Sequence, residues 1–398
     1  MVQVSEIDGR AAWARLMLCL VIAVIGNVGM WSIVVIMPGV ETEFGLDRAG
    51  ASLPYTTTML GYALGNVAIG RAVDRFGLRA ALGFSALVIS GGFALAALSP
   101  SAGMLAAVQF LIGLGAAAGF GPLIADISRW FQRRRGIAVA IAASGNYLSG
   151  AIWPLILAPL LAGQGWRAVY LALAVIVIAL MLPLAMLLRP GARAVAGAGG
   201  GEGLRTGLSP RALTWLLCLA GVGCCVAMSM PQVHIVAYCV DLGYGPAVGA
   251  QMLSLMLMGG VASRLVFGLI GDALGGVRTV LLGAGLQGVA LLLYLPWDGL
   301  VSLYLVSLVF GLAQGGIVPS YALIVREYLP PREAGAKVGL VMMSTILGMA
   351  LGGWLSGEIH DWTGSYAAAF LNGIGWNLLC ISILLLLLRR AGRVLASA

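Results

Sequence analysis

The sequence predicts an all-α polytopic membrane protein, with twelve transmembrane helices in two pseudo-symmetric six-helix bundles. Three observations carry this. Of 398 residues, 61% are hydrophobic and only 10% charged, more apolar surface than a water-soluble domain of this length can cover. Runs of about twenty apolar residues follow one another from end to end, the length a helix needs to cross a hydrocarbon core. A polar stretch without hydrophobic period, RPGARAVAGAGGGEGLRTGLSPR (189–211), divides those runs six and six.

The first run, near 14–38, is too long for a signal-peptide core and lacks a cleavage site, so it reads as the first span. The others lie near 50–70, 80–98, 102–125, 137–162, 167–188, 212–240, 248–271, 278–296, 300–325, 338–358 and 366–388. Basic residues follow the even-numbered spans: Arg71, Arg75 and Arg79; Arg129 and Arg133 to Arg135; Arg189 to Arg211; Arg278; Arg326, Arg332 and Lys337; Arg389, Arg390 and Arg393. The opposite loops hold Glu41, Glu43, Asp47, Asp241, Asp298, Glu358 and Asp361 against Arg48 and Arg167 alone. Loops rich in arginine stay cytoplasmic, so both termini are expected there. The expected domains are 1–188, a flexible glycine-rich cytoplasmic linker at 189–211, and 212–398.

The net charge of +8 belongs to short loops, which fits membrane topology and not a nucleic-acid surface. All six cysteines fall inside apolar runs with no metal-ligand spacing, so they read as packing residues. No P-loop, nucleophile elbow or metal cluster is present, so neither an enzyme nor an ATP-driven pump is expected, and no cofactor or metal. Trp166, Trp297 and Trp362 are expected in the interfacial belts.

The two halves repeat. Gly70-Arg-Ala-Val-Asp74-Arg-Phe-Gly77 after span two is matched by Gly268-Leu-Ile-Gly-Asp272-Ala-Leu-Gly275 after span eight. Gly113 in span four matches Gly311 in span ten at the same offset, and Pro122 and Pro319 follow at nearly equal distances. The segment GRAVDRFGLRAAL (70–82) resembles the loop signature of the major facilitator superfamily, Gly-x-x-x-Asp-Arg-x-Gly-x-Arg. Within that superfamily the second half is similar to bacterial relatives of the monocarboxylate transporters and the oxalate/formate antiporter. The matching residues are His234-Ile-Val-Ala-Tyr-Cys-Val-Asp241-Leu-Gly243 and Arg264-x-x-x-Gly268-x-x-x-Asp272, with Trp130-Phe-Gln-Arg-Arg-Arg-Gly136 in the first half. The resemblance implies a secondary transporter in a bacterial inner membrane, working as a monomer by rocking two bundles about a midplane site.

Arg264 is the sharpest residue. It lies near the middle of a membrane-length helix, roughly 12 Å from Asp272 at about 1.5 Å per residue. A charge at that depth costs at least about 2.5–3.5 kcal/mol, so it is expected to face a cavity or a partner. Its planar fork suits a carboxylate, and Gly260 and Gly268, one turn either side, are expected to leave room beside it. One buried cation suits one carboxylate. Span eleven lacks the lysine that the oxalate antiporter is expected to use, so a monocarboxylate of the lactate or pyruvate type is preferred. The other expected cavity residues are Asn27, Trp31, Tyr55, Tyr62, Asn146, Gln314 and Tyr321.

The resemblance implies a cytoplasmic gate of Asp74, Arg75, Arg79, Asp126 and Asp272, with Arg75 pairing with Asp126. Proton-coupled relatives are expected to carry an aspartate one turn before the span-eight arginine, where this chain has Gly260. That leaves His234, which titrates near neutrality, as the candidate proton-coupling group, with packing as its plain alternative. The transported anion is thus accompanied by a proton or exchanged for a counter-anion. The alternative reading is a drug or metabolite efflux transporter of the same fold.

Overall fold

A computed structural model describes residues 7–188, 208–329 and 331–396, and every regular element among them is helical. Residues 189–207, most of the expected linker, lie outside the described residues. Helices α1 (Arg10–Gly26) and α2 (Val28–Phe44) form the first span, α3 (Arg48–Phe76) the second and α4 (Leu78–Ala97) the third. The fourth consists of α5 (Ala102–Ala116), a 3-10 turn (Ala117–Gly119) and α6 (Gly121–Trp130). Then come α7 (Arg135–Ala143) and the long α8 (Gly145–Leu187). In the second half α9 (Pro210–Asp241), α10 (Pro246–Leu274) and α11 (Gly276–Leu293) are the seventh to ninth spans. The tenth is split into α12 (Leu300–Gln314) and α13 (Ile317–Tyr328), and α14 (Pro331–Thr363) and α15 (Tyr366–Ala396) complete the chain.

Ten helical stretches among the described residues are long and apolar enough to cross a membrane. One of them, Arg135–Leu187, has 53 residues, and as one straight helix it would run for about 80 Å against a core of about 30 Å. Its backbone leaves the helical region at Gly165 (φ 77°, ψ 175°), a conformation that glycine adopts without a Cβ penalty. The two sides of that break bind different partners: Trp153 Nε1 donates to the Val24 carbonyl (2.9 Å), while the Ala174 carbonyl accepts from Ser90 (2.7 Å). The α3 helix, 29 residues long, is absent from the ten because Thr56, Thr57, Thr58, Asn66 and Asp74 dilute its hydropathy. Dividing at Gly165 and adding α3 gives the expected twelve.

The repeat seen in the sequence is also a repeat of backbone. Gly77 (φ 84°, ψ 162°) and Gly275 (φ 78°, ψ 164°) hold the same left-handed turn after α3 and α10. The fourth and tenth spans also break at the same repeat position, at Ala117–Gly119 and at Gly315–Gly316.

The chain forms two compact units: Met1–Val195 with Val233–Met258, and Ala196–Gln232 with Gly259–Ala398. In the first, α3 and α5 touch backbone to backbone, and a Cβ on Gly61 would lie 2.0 Å from the Phe110 carbonyl oxygen. Only small residues permit such an approach between membrane helices. The core of the second gathers Cys224, Cys225, Ile317, Tyr321 and Cys380. All six cysteines are buried free thiols. Trp297 and Trp362 are exposed, whereas Trp166 is buried. Its ring packs edge-on against Tyr170 and its indole N–H reaches Glu43 (2.5 Å).

Candidate functional site

Arg264 is 6% exposed on α10. Its Nε donates to the Gly315 carbonyl (3.1 Å), in the break between α12 and α13. That carbonyl is available because the helix is interrupted there, and a freed backbone group inside a membrane must find a donor. The break sits directly on α10: a Cβ on Gly315 would lie 2.1 Å from the Gly260 carbonyl oxygen and 3.0 Å from the Arg264 nitrogen. The expected room beside Gly260 is therefore filled by the backbone of the tenth span. Gly268, one turn the other way, has open space. Gln314, next to Gly315, is wholly buried and accepts from Gln232 Nε2 of α9 (2.7 Å). Arg264, Gln314 and Gln232 thus converge on one helix break in the second unit.

The first unit has its own polar cluster at its own breaks. Asn27 separates α1 from α2, with its Nδ2 donating to the carbonyls of Ala23 (2.8 Å) and Gly119 (3.1 Å). Gly119 ends the 3-10 turn, so Asn27 does for the fourth span what Arg264 Nε does for the tenth. Tyr62 reaches Asn27 Oδ1 (3.4 Å), and Trp31 Nε1 donates to the carbonyl and side-chain oxygens of Asn146, both at 3.0 Å. Five of the expected residues are therefore on one unit, four of them joined in these contacts; Tyr55, fully buried on α3, is the fifth.

Two expectations need correction. Tyr321 is fully buried in the core of the second unit, with its hydroxyl 3.3 Å from Cys380 Sγ. It packs α13 against α15 and is not a cavity wall. Asp126 does not pair with Arg75. It is held by Arg15 of α1 in a buried two-pronged ion pair (2.6 and 3.0 Å), with the Arg15 guanidinium 4.7 Å above the Trp130 ring. Arg15 reaches Asp126 directly, whereas Arg75 is exposed and lies over Phe76.

The other residues expected at the gate lie at helix ends. A cavity of about 530 Å³ in the first unit is lined by Arg15, Asn66, Asp74, Arg79, Asp126 and Arg129, among others. Arg79 ties the start of α4 to the end of α8 through the Leu188 carbonyl (3.0 and 2.6 Å). Asp272 is exposed at the matching place on α10. His234 is fully buried in the part of α9 that belongs to the first unit.

Sequence reasoning passed over four residues. Gln232 is a buried polar residue in mid-span, which was its signal. Asn66 holds in α3 the repeat position that Arg264 holds in α10. Arg48 and Arg167, the two cations of the acidic loops, are both clamps: Arg48 binds Glu41 and Asp241 within the first unit, and Arg167 binds Glu43 and the carbonyls of Ala97 and Ser99.

The Major Facilitator Superfamily model matches residues 18–297 and 217–397. Monocarboxylate transporter 13 of Bos taurus is 31% identical over 313 residues, covering 76% of this chain and 72% of its own. Monocarboxylate transporter 11 of Homo sapiens is 32% identical over 334 residues (76% and 67%). A gentisate transporter of Corynebacterium glutamicum is 26% identical over 342 residues (80% and 75%). Among solved structures, the nucleoside transporter NupG superposes with a TM-score of 0.74 at 14% identity, over 93% of this chain and 99% of that one; this likeness concerns the fold alone. The chain belongs to the major facilitator superfamily of membrane transporters, and within it to the monocarboxylate transporter type.

Proposed function

We propose that this transporter moves small organic anions, with monocarboxylates of the lactate or pyruvate type preferred, by alternating access in a bacterial inner membrane. It acts as a monomer with both termini cytoplasmic. The observation that carries this reading is the comparison of the two helix breaks. In the first unit a neutral asparagine satisfies the carbonyl freed at the break. In the second the same task falls to an arginine. Satisfying a carbonyl needs no charge, and a guanidinium at mid-membrane is costly by about 2.5–3.5 kcal/mol or more. The charge beyond what the break requires suits an anionic guest, and the guanidinium is a fork shaped for carboxylates. Relatives named for monocarboxylate and gentisate transport support the same class.

Asn27, Trp31, Tyr55, Tyr62 and Asn146 are proposed to meet the rest of the substrate, and Asp74, Arg75, Arg79, Asp126 and Asp272 to serve the cytoplasmic gate. The test is uptake of labelled lactate, pyruvate, formate and oxalate by purified protein in liposomes. Arg264→Ala should abolish uptake and Arg264→Lys should leave a small remnant; wild-type rates in both would remove the central claim. Uptake that follows an imposed pH gradient, with a profile moved by His234→Ala, assigns proton symport. Uptake that needs an internal counter-anion and ignores pH assigns exchange.

A further inference from the structure

The amides of Gln232 and Gln314 form one hydrogen bond with each other (2.7 Å) and leave one atom each without a partner: Gln232 Oε1 and Gln314 Nε2. Both side chains are at least 99% buried, and the hydroxyl of Ser263, beside Arg264, is likewise buried without a partner. A buried polar atom without a partner is destabilising, whereas an apolar pair of the same shape would be neutral. Inside a membrane such groups mark a functional position. The leftover pair is one acceptor and one donor, and this holds however the amides are turned. Reversing both swaps which residue offers which, and still leaves one of each.

We infer that Gln232 and Gln314 form a subsite for a hydroxyl group on the transported acid, next to the carboxylate position at Arg264. This rests on the proposed role of Arg264. A hydroxyl is the smallest group that uses both leftover atoms, since it donates to the carbonyl and accepts from the amide N–H. A keto oxygen accepts only and leaves the amide oxygen unmatched. A methylene uses neither, and a second carboxylate would set its negative oxygens against that amide oxygen. The subsite therefore ranks acids with equal tails: hydroxy acid first, oxo acid next, unsubstituted acid third and dicarboxylate last.

The test is ligand-induced thermal stabilisation of the purified full chain, titrated with two matched series. One is lactate, pyruvate, propanoate and malonate; the other is mandelate, benzoylformate and phenylacetate. The wild type should prefer the hydroxy acid over the unsubstituted one by about tenfold or more, because a site built to bond a hydroxyl rejects the analogue that lacks it. In Gln232→Leu/Gln314→Leu the preference should collapse to near unity, with propanoate binding retained and the ligand-free melting temperature unchanged or raised. No rank order in the wild type overturns the proposal, as does a rank order that survives the double substitution. Should the double variant fail to fold, Gln232→Met and Gln314→Met are read singly against the same criterion. Arg264→Ala separates the two ideas. If it binds every acid as the wild type does, the carboxylate reading fails and the subsite falls with it. If it loses them all while the glutamine variants keep the rank order, only the subsite is refuted.

Discussion

Replacing Gly315 by alanine tests whether the helix break positions Arg264, and does so without touching any charge. A Cβ at this position would lie 2.1 Å from the Gly260 carbonyl oxygen, 2.8 Å from Ser263 Cβ and 3.0 Å from the Arg264 nitrogen. Two of those three atoms are backbone, so no side-chain rotation relieves the overlap. Ordinary contact begins near 3.4 Å, so the α12–α13 junction must retreat from α10 by more than an ångström. The Arg264–Gly315 bond, already 3.1 Å long, does not survive a retreat of that size. Overpacking costs about 1–3 kcal/mol, and a lost bond to a charged group about 1.5–3 kcal/mol. The measurable results are a lowered melting temperature and weaker carboxylate binding, by up to about a hundredfold if one charge-assisted bond to the carboxylate is lost with the orientation. Uptake into liposomes and ligand-induced thermal shift read the two effects. Gly268→Ala is the control: it adds the same methyl on α10, one turn beyond Arg264, into open space and should be neutral or stabilising by up to about 1 kcal/mol. Wild-type affinity in Gly315→Ala, alongside lost affinity in Arg264→Ala, would falsify the positioning role of the break.

Three further outcomes are expected. Arg48→Ala removes the clamp that holds α3 to Glu41 and to Asp241 at the end of α9, so the buried Cys239, half a turn from Asp241, should react faster with a maleimide in the purified protein, as read by peptide mass mapping. Arg15→Leu strands the buried Asp126 carboxylate and should destabilise the fold by about 3–5 kcal/mol, while Arg15→Leu/Asp126→Leu should recover most of the lost melting temperature. Asp8 accepts from the backbone amides of Arg133, Gln132 and Arg134 (3.1–3.4 Å), and these bonds, the Arg133 amide foremost, hold its carboxyl below the usual aspartate range. A depressed value means that the clasp is complete above the ordinary aspartate pKa of about 3.9 and is lost only as pH falls through the lower folded value. Amide exchange across 132–134 at neutral pH should therefore be faster in Asp8→Asn than in the wild type.

The fold was largely readable because membrane burial imposes one rule on every span: enough apolar length and no unpaired backbone. That rule located the helices. It failed to mark where helices break. Gly315 and Gly316 read as two more small residues among 58 glycines, and Ala117–Gly119 reads as one more stretch of small packing residues. Consequently the sequence showed Arg264 as a charge but not the carbonyl that orients it. The pairing of Asp126 was misread for a related reason. Arg15 is counted among the residues opening an apolar run, and hydropathy cannot say that its guanidinium turns inward onto α6. Tyr321 shared a helical face with Gln314 by spacing, but the break between them at Gly315–Gly316 resets the helical phase, so that face does not continue across it.

The same break explains why the two halves of a duplicated fold need not carry equal chemistry. Both interrupt the fourth helix of their repeat at one position, and both fill the freed carbonyl from a neighbouring span. The first half uses Asn27 of its first helix, leaving the Arg264-equivalent place on α3 to Asn66. The second half fills it from its second helix, with Arg264. The break is thus a structural inheritance common to both halves, and the identity of the filling residue is the variable part. A neutral filler makes a framework site. A charged filler makes a framework site that also holds a positive charge within an apolar helix, fixed in direction by the carbonyl it satisfies. Substituting Arg264 therefore removes both functions at once, whereas Gly315→Ala keeps the charge and removes only its orientation.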